Sequence, residues 1–107
     1  MTDPNKAVDY ILANASKFAQ AKANRVFIEG FLKSKKALLM SQSTAEAANA
    51  REQFAYSNPE YIELLQGLKE AVETEEKLKW ELVAAQLRVD VWRSEEASNR
   101  NQDRAMR

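Results

Sequence analysis

The stretch SNPEYIELLQGLKEAVETEEKLKWELVAAQLRVDVW, residues 57–92, decides the fold. Its opening, Ser57-Asn58-Pro59-Glu60, is the strongest punctuation in the chain. A residue before proline is pushed out of the α region, while proline itself suits the first turn of a helix. Asn58 is the expected cap, with the Ser57 to Glu60 capping-box spacing as the alternative one residue earlier. From Pro59 on there is no further proline, and good helix formers continue to about residue 104. Within that run Tyr61, Leu64, Leu68, Ala71, Leu78, Leu82, Ala85, Val89 and Trp92 recur in alternating steps of three and four, interrupted at Glu75. A sustained 3.5-residue period is the signature of a coiled-coil seam.

Working back toward the amino terminus, Asp3-Pro4 is a helix start: the Asp side chain can accept from the first free amides, and Pro tolerates the first helical position. The run that follows contains only Gly30 as a weak point until Ser41-Gln42-Ser43-Thr44. There Ser43 and Glu46 have capping-box spacing and can restart a helix. The reading is therefore an all-α chain, a long antiparallel helical hairpin of coiled-coil type. Its parts are a helix over 4–55, with a break admitted near 41–44, a turn at 56–58 and a helix over 59–104. If the chain reverses at Ser57 and Asn58, facing residues have numbers summing to about 115, because both helices rise equally per residue. That register faces mostly small residues, Ala19, Ala23, Val26, Gly30, Ala37 and Met40 among them, toward the seam. It also brings Lys33, Lys35 and Lys36 near Glu75, Glu76 and Glu81.

Composition agrees. The 107 residues are 45% hydrophobic and 30% charged, with two Gly and two Pro. One small domain with a thin core follows from that length. The net charge of zero hides an asymmetry: residues 1–50 carry seven Lys/Arg against four acids, and seven acids lie between Glu60 and Glu81. Opposite charge in the two halves suits halves that face each other.

The sequence has no cysteine and no histidine, which removes thiolate and imidazole chemistry and the usual zinc ligand sets. The two glycines stand far apart, so there is no phosphate-binding loop. Pairs such as Glu73 with Glu76 or Glu95 with Glu96 read as solvated helix surface. No catalytic, cofactor or metal residue is assigned, and a non-enzymatic protein is expected. Neither a signal-peptide pattern nor an apolar run of roughly 20 residues is present, so a cytoplasmic setting without membrane insertion is expected.

A two-helix hairpin leaves apolar residues over. On the second helix these are Ile62, Leu65, Val72, Trp80, Val83, Leu87 and Val91, an interface set for a second copy or another protein. On the first helix Phe18, Phe27, Ile28, Phe31, Leu32, Leu38 and Leu39 lie off the expected stripe. Uncovered apolar surface of this extent marks interfaces. Homo-oligomerisation into a helical bundle is the expected resolution. The cations Lys17, Lys22, Arg25, Lys33, Lys35 and Lys36, with Phe18, Phe27 and Phe31 among them, give a second reading, contact with nucleic acid. The tail from Ser94 to Arg107 is polar on every face and reads as a fraying end or a docking segment.

Secreted bacterial helical hairpins of this length carry Trp-x-Gly at the turn; here the turn reads Phe54-Ala55-Tyr56-Ser57-Asn58-Pro59, without it. The run from Tyr61 to Arg104, and above all Val91-Trp92-Arg93-Ser94 through Ala97-Ser98-Asn99-Arg100, resembles small uncharacterised helical proteins of tailed bacteriophages and prophages. The resemblance covers less than half the chain and carries no catalytic residue. By association it implies an accessory role near phage DNA recombination or replication.

Overall fold

A computed structural model describes residues 3–106. The described residues form an all-α helical hairpin of three helices: α1 (Pro4–Gln42), α2 (Ala48–Ser57) and α3 (Pro59–Ala105). Among the described residues there is no strand.

The helix ends are set by the residues at them. Asp3 Oδ1 accepts from the Asn5 amide at 2.9 Å and the Lys6 amide at 3.3 Å, so the cap before Pro4 forms as the sequence predicts. At the other end of α1, Ser41 Oγ donates to Leu38 O at 2.6 Å and Ser43 Oγ accepts from Ala45 N at 3.2 Å. Short hydroxyl side chains compete here for backbone groups that a continuing helix would use. The expected single helix over 4–55 is therefore interrupted, and the break admitted near 41–44 is where α1 ends. The Ser43 to Glu46 capping box does not form, because the Ser43 hydroxyl is taken by Ala45. The cap position of α2 is instead Ala47, with φ −75° and ψ 136° and no side-chain cap.

Asn58 links α2 to α3 with φ −70° and ψ 132°, the extended conformation that a following proline demands. Its Oδ1 accepts from Glu60 N at 2.9 Å, so Asn58 is the cap. Ser57 is not, since its hydroxyl donates back to Gln53 O at 2.7 Å.

The residues fall into two compact units, one built from the segments up to Ala19 and from Glu76 onward, the other from Gln20–Glu75. In the first, Ala7 and Ala85 are buried, with Tyr10, Phe18, Leu78, Leu82, Val89 and Trp92 half-buried around them. In the second, Leu32, Leu39, Ala55 and Ala71 are buried, and Leu39 is the largest side chain with no exposure at all. Ala21, Ile28, Leu64 and Leu68 complete its seam half-buried.

On α3 the heptad read from sequence is the inward face at every position named, and Glu75, the interruption, is buried on it. On α1 the expected face is wrong. Ala23, Val26, Gly30, Lys33 and Ala37 are exposed, whereas Phe18, Ile28, Leu32 and Leu39, all off the expected stripe, line the interior. The cause is the register. Observed side-chain pairs are Tyr10 with Glu81, Arg25 with Glu75 and Lys35 with Glu60. Their numbers sum to 91, 100 and 95 rather than 115. The chain breaks between α1 and α2 over residues 43–47, in place of the expected turn at 56–58. Nor do the glycines serve a close approach: a Cβ built on Gly30 or Gly67 meets nothing within 4 Å.

Candidate interaction surfaces

In the 20–75 unit the seam is polar at its centre. The Arg25 guanidinium is bonded by Nε to Glu75 Oε2 and by Nη2 to Glu75 Oε1 at 3.2 Å. Its Nη1 reaches both Glu29 oxygens at 3.0 Å. These acceptors, Glu75 first, hold the Arg25 guanidinium still more firmly protonated than an ordinary arginine. Planar fork-to-carboxylate pairing carries geometric information that apolar contacts lack.

Lys35 Nζ lies 2.8 Å from Glu60 Oε2, and Lys36 Nζ lies 3.7 Å from Glu52 Oε1 and 4.8 Å from the Tyr56 ring centre. The Tyr56 side chain, and then the Glu52 carboxylate, raise the Lys36 pKa against the opposing effect of burial. Tyr56 in turn meets Tyr61 edge to face at 5.3 Å. The lysine cluster predicted for Glu75, Glu76 and Glu81 is thus spent nearer the tip, because the reversal comes earlier. Of the cations proposed for nucleic acid, Arg25, Lys35 and Lys36 are engaged in ion pairs; Lys17, Lys22 and Lys33 are exposed.

All seven interface candidates are exposed. Ile62, Leu65 and Val72 belong to the 20–75 unit. Trp80, Val83, Leu87 and Val91 belong to the other, at steps of three and four that align them on one side of α3. Trp80 is 59% exposed, its Nε1 donates to Glu76 Oε2 at 3.1 Å, and Lys79 Nζ stands 5.6 Å from its ring. The indole is therefore held against its own helix with a face turned to solvent. Beyond it, Leu87 and Val91 with Ser94 and Ser98 line an open concavity of about 700 Å³. Past Trp92 every described residue except Glu96 is exposed, and α3 is helical to Ala105; Arg107 lies outside the described residues.

A second exposed set includes Phe27 and Phe31, which the sequence leaves off the expected α1 stripe. Phe27 and Phe31 stack with ring centres 6.0 Å apart and 7° between planes. Phe31 also walls a groove of about 420 Å³ with Ile28, Leu64 and Gly67, rimmed by Lys35, Glu60 and Glu63.

Among the described residues no group of three or more His, Cys, Asp or Glu side chains could hold a metal ion. In the same residues no buried side-chain polar atom lacks a partner. Among the described residues no helix is long and apolar enough to cross a membrane. No protein family, curated protein or solved structure matches this chain.

Proposed function

We propose that this chain is a non-enzymatic, phage-type helical interaction or assembly protein that self-associates and binds a protein partner in the cytoplasm, residues 61–104 resembling small uncharacterised helical proteins of tailed phages and prophages. The observation that carries the reading is the exposed row Trp80, Val83, Leu87 and Val91 on α3. Aliphatic side chains aligned on one helix, with a tryptophan at the end, make the kind of anchor that interfaces are built on. Burying each is worth about 1.5–3 kcal/mol, and a neighbouring helix is the natural cover. The chemistry available points the same way, since the sequence has no His or Cys to act as base, nucleophile or zinc ligand.

Light scattering coupled to size exclusion tests it. A stable multiple of 12.2 kDa is expected for the native chain, and dissociation for Val83→Glu with Leu87→Glu; an unchanged mass in the double variant removes this row as the interface. The second reading, an accessory protein that contacts nucleic acid through Lys17, Lys22 and Lys33 with the stacked Phe27 and Phe31, predicts salt-sensitive DNA binding. It is the weaker one, because Arg25, Lys35 and Lys36 already serve carboxylates. No retention of labelled single- or double-stranded DNA at low salt would eliminate it.

A further inference from the structure

We propose that the 20–75 unit carries a self-complementary knob and hole: Phe27 of one copy seats in the Gly67 groove of a second copy, and the reverse contact forms at the same time. The inference rests on the self-association reading but places a contact on a different surface from the Val83 and Leu87 row.

The hole exists because residue 67 has no side chain. A Cβ there would meet nothing within 4 Å, and Gly67 borders two neighbouring grooves of about 420 and 230 Å³. A glycine inside a helix costs about 1 kcal/mol relative to alanine, and no contact among the described residues requires it. The larger groove has apolar walls in Ile28, Phe31 and Leu64. Roughly 150 Å³ of apolar cavity accommodates a benzene ring, so a phenyl group fits.

The knob stands next to it. Phe27 is 69% exposed, and its stacking on Phe31, which is 38% exposed, restrains the ring in the position it holds. When knob and hole lie on one surface patch, a two-fold axis satisfies both at once, since an isologous interface uses the same patch twice.

Charge selects a second copy over other occupants. Within this unit Lys22 and Lys33 on α1 have no ion-pair partner among the described residues, nor do Glu63, Glu70 and Glu73 on α3, where Lys69 is the opposing cation. A copy that sets its α1 against the partner's α3 brings these leftover charges together. A nucleic acid base stacked on Phe27 would carry its phosphates toward Glu60 and Glu63 at the groove rim.

The test uses the full chain and two variants, Phe27→Ala and Gly67→Leu. Both should keep the fold, by circular dichroism, because Phe27 is exposed and a side chain at 67 points into open space. Sedimentation over a concentration series should show each variant dimerising at least about a hundredfold more weakly than the native chain, the low end for the two Phe contacts that a symmetric dimer loses. An equimolar mixture of the two should dimerise more tightly than either alone, because the knob of the Gly67→Leu chain still fits the hole of the Phe27→Ala chain. Two variants that associate like the native chain overturn the inference, as does a mixture with no recovery. If they associate normally while Val83→Glu with Leu87→Glu is monomeric, self-association stands and only the groove contact falls. A native chain that is monomeric throughout removes both.

Discussion

The 20–75 unit and the unit formed by the segments before Gln20 and after Glu75 are built from the same two long helices, yet they are specified differently. The former has a half-buried ion pair, two further lysine–carboxylate contacts, a short helix and, among the described residues, the largest wholly buried side chain, Leu39. The latter closes on the small residues Ala7 and Ala85, and its inter-helix polar contact is the Tyr10 hydroxyl donating to Glu81. Its Asn14 spends its side chain on its own helix, donating to Tyr10 O at 2.8 Å. Alanine at a seam permits close helix approach but buries little area, and polar forks fix register better than they add stability. One unit is therefore the anchor of the hairpin's register, and the other presents α3 outward with the Trp80 to Val91 row uncovered.

The largest effect separates the two cores. Leu39→Ala removes the fully buried side chain of the 20–75 unit and should cost about 2–5 kcal/mol in urea unfolding. Leu12→Ala, in the other unit and 73% exposed, should stay within about 0.5 kcal/mol. Equal losses at the two sites would erase the distinction drawn between them.

The next effect concerns the ion pair. Glu75→Leu alone should lower the melting temperature, because it takes the carboxylate from a guanidinium seated in the seam. Arg25→Leu combined with Glu75→Leu should recover most of that loss, apolar pairs being good substitutes for buried charges. If the pair sets register, the double variant should melt with a broadened transition and multiple amide resonances for Gln20–Glu75. A sharp native-like spectrum would show that Leu32 and Leu39 suffice to set it.

This pair also explains what the sequence showed and what it concealed. The α3 seam was legible because its heptad is interrupted once, at Glu75. The α1 seam has the same period, through Ala7, Phe18, Ala21, Arg25, Ile28, Leu32, Lys35 and Leu39, but Asn14, Arg25 and Lys35 stand at inward positions. Those polar residues read as surface until their partners are known, and the exposed Ala23, Val26 and Ala37 imitate a core face. The seven-residue row on α3 was legible for the converse reason, as everything apolar that lay off a clean heptad. The Phe27 and Gly67 surface was not, since it depends on which residues of α1 and α3 face each other, and register was the quantity misjudged. Pro59 signals a helix start without saying whether the chain reverses there; the hydroxyl-rich segment at 41–44 carried the larger change of direction.

A smaller effect tests the glycine reading. Gly30→Ala should stabilise the chain by about 0.8–1 kcal/mol, the ordinary helix-propensity difference, because its Cβ enters open space. Destabilisation would mean that Gly30 is covered, as a place facing the seam would require.

The smallest effect is the pH dependence of the side-chain bond between helices in the unit outside Gln20–Glu75. Hydrogen bonding to the Glu81 carboxylate raises the Tyr10 pKa above its usual value, with burial and the carboxylate charge acting in the same direction. A group whose folded pKa exceeds its unfolded one contributes stability that is fully present below the unfolded value, about 10 for tyrosine, and lost as pH rises through the folded value. Lys36, with a pKa raised by Tyr56 and Glu52, follows the same sign in the 20–75 unit. Raising the pH from neutrality through that range should therefore loosen both units. Tyr10→Phe should remove part of the alkaline loss, and Lys36→Met another part, with the two additive because the residues share no partner. Hydrogen exchange resolved by residue separates them: the Tyr10→Phe change should appear around residues 7–14 and 78–85, and the Lys36→Met change around 48–61. If Tyr10→Phe leaves the alkaline limb of the stability curve unchanged, the Tyr10 to Glu81 bond is not what joins the helices there. The buried Ala7 and Ala85, with the half-buried Phe18, Leu78, Leu82, Val89 and Trp92 around them, would then be what closes that unit.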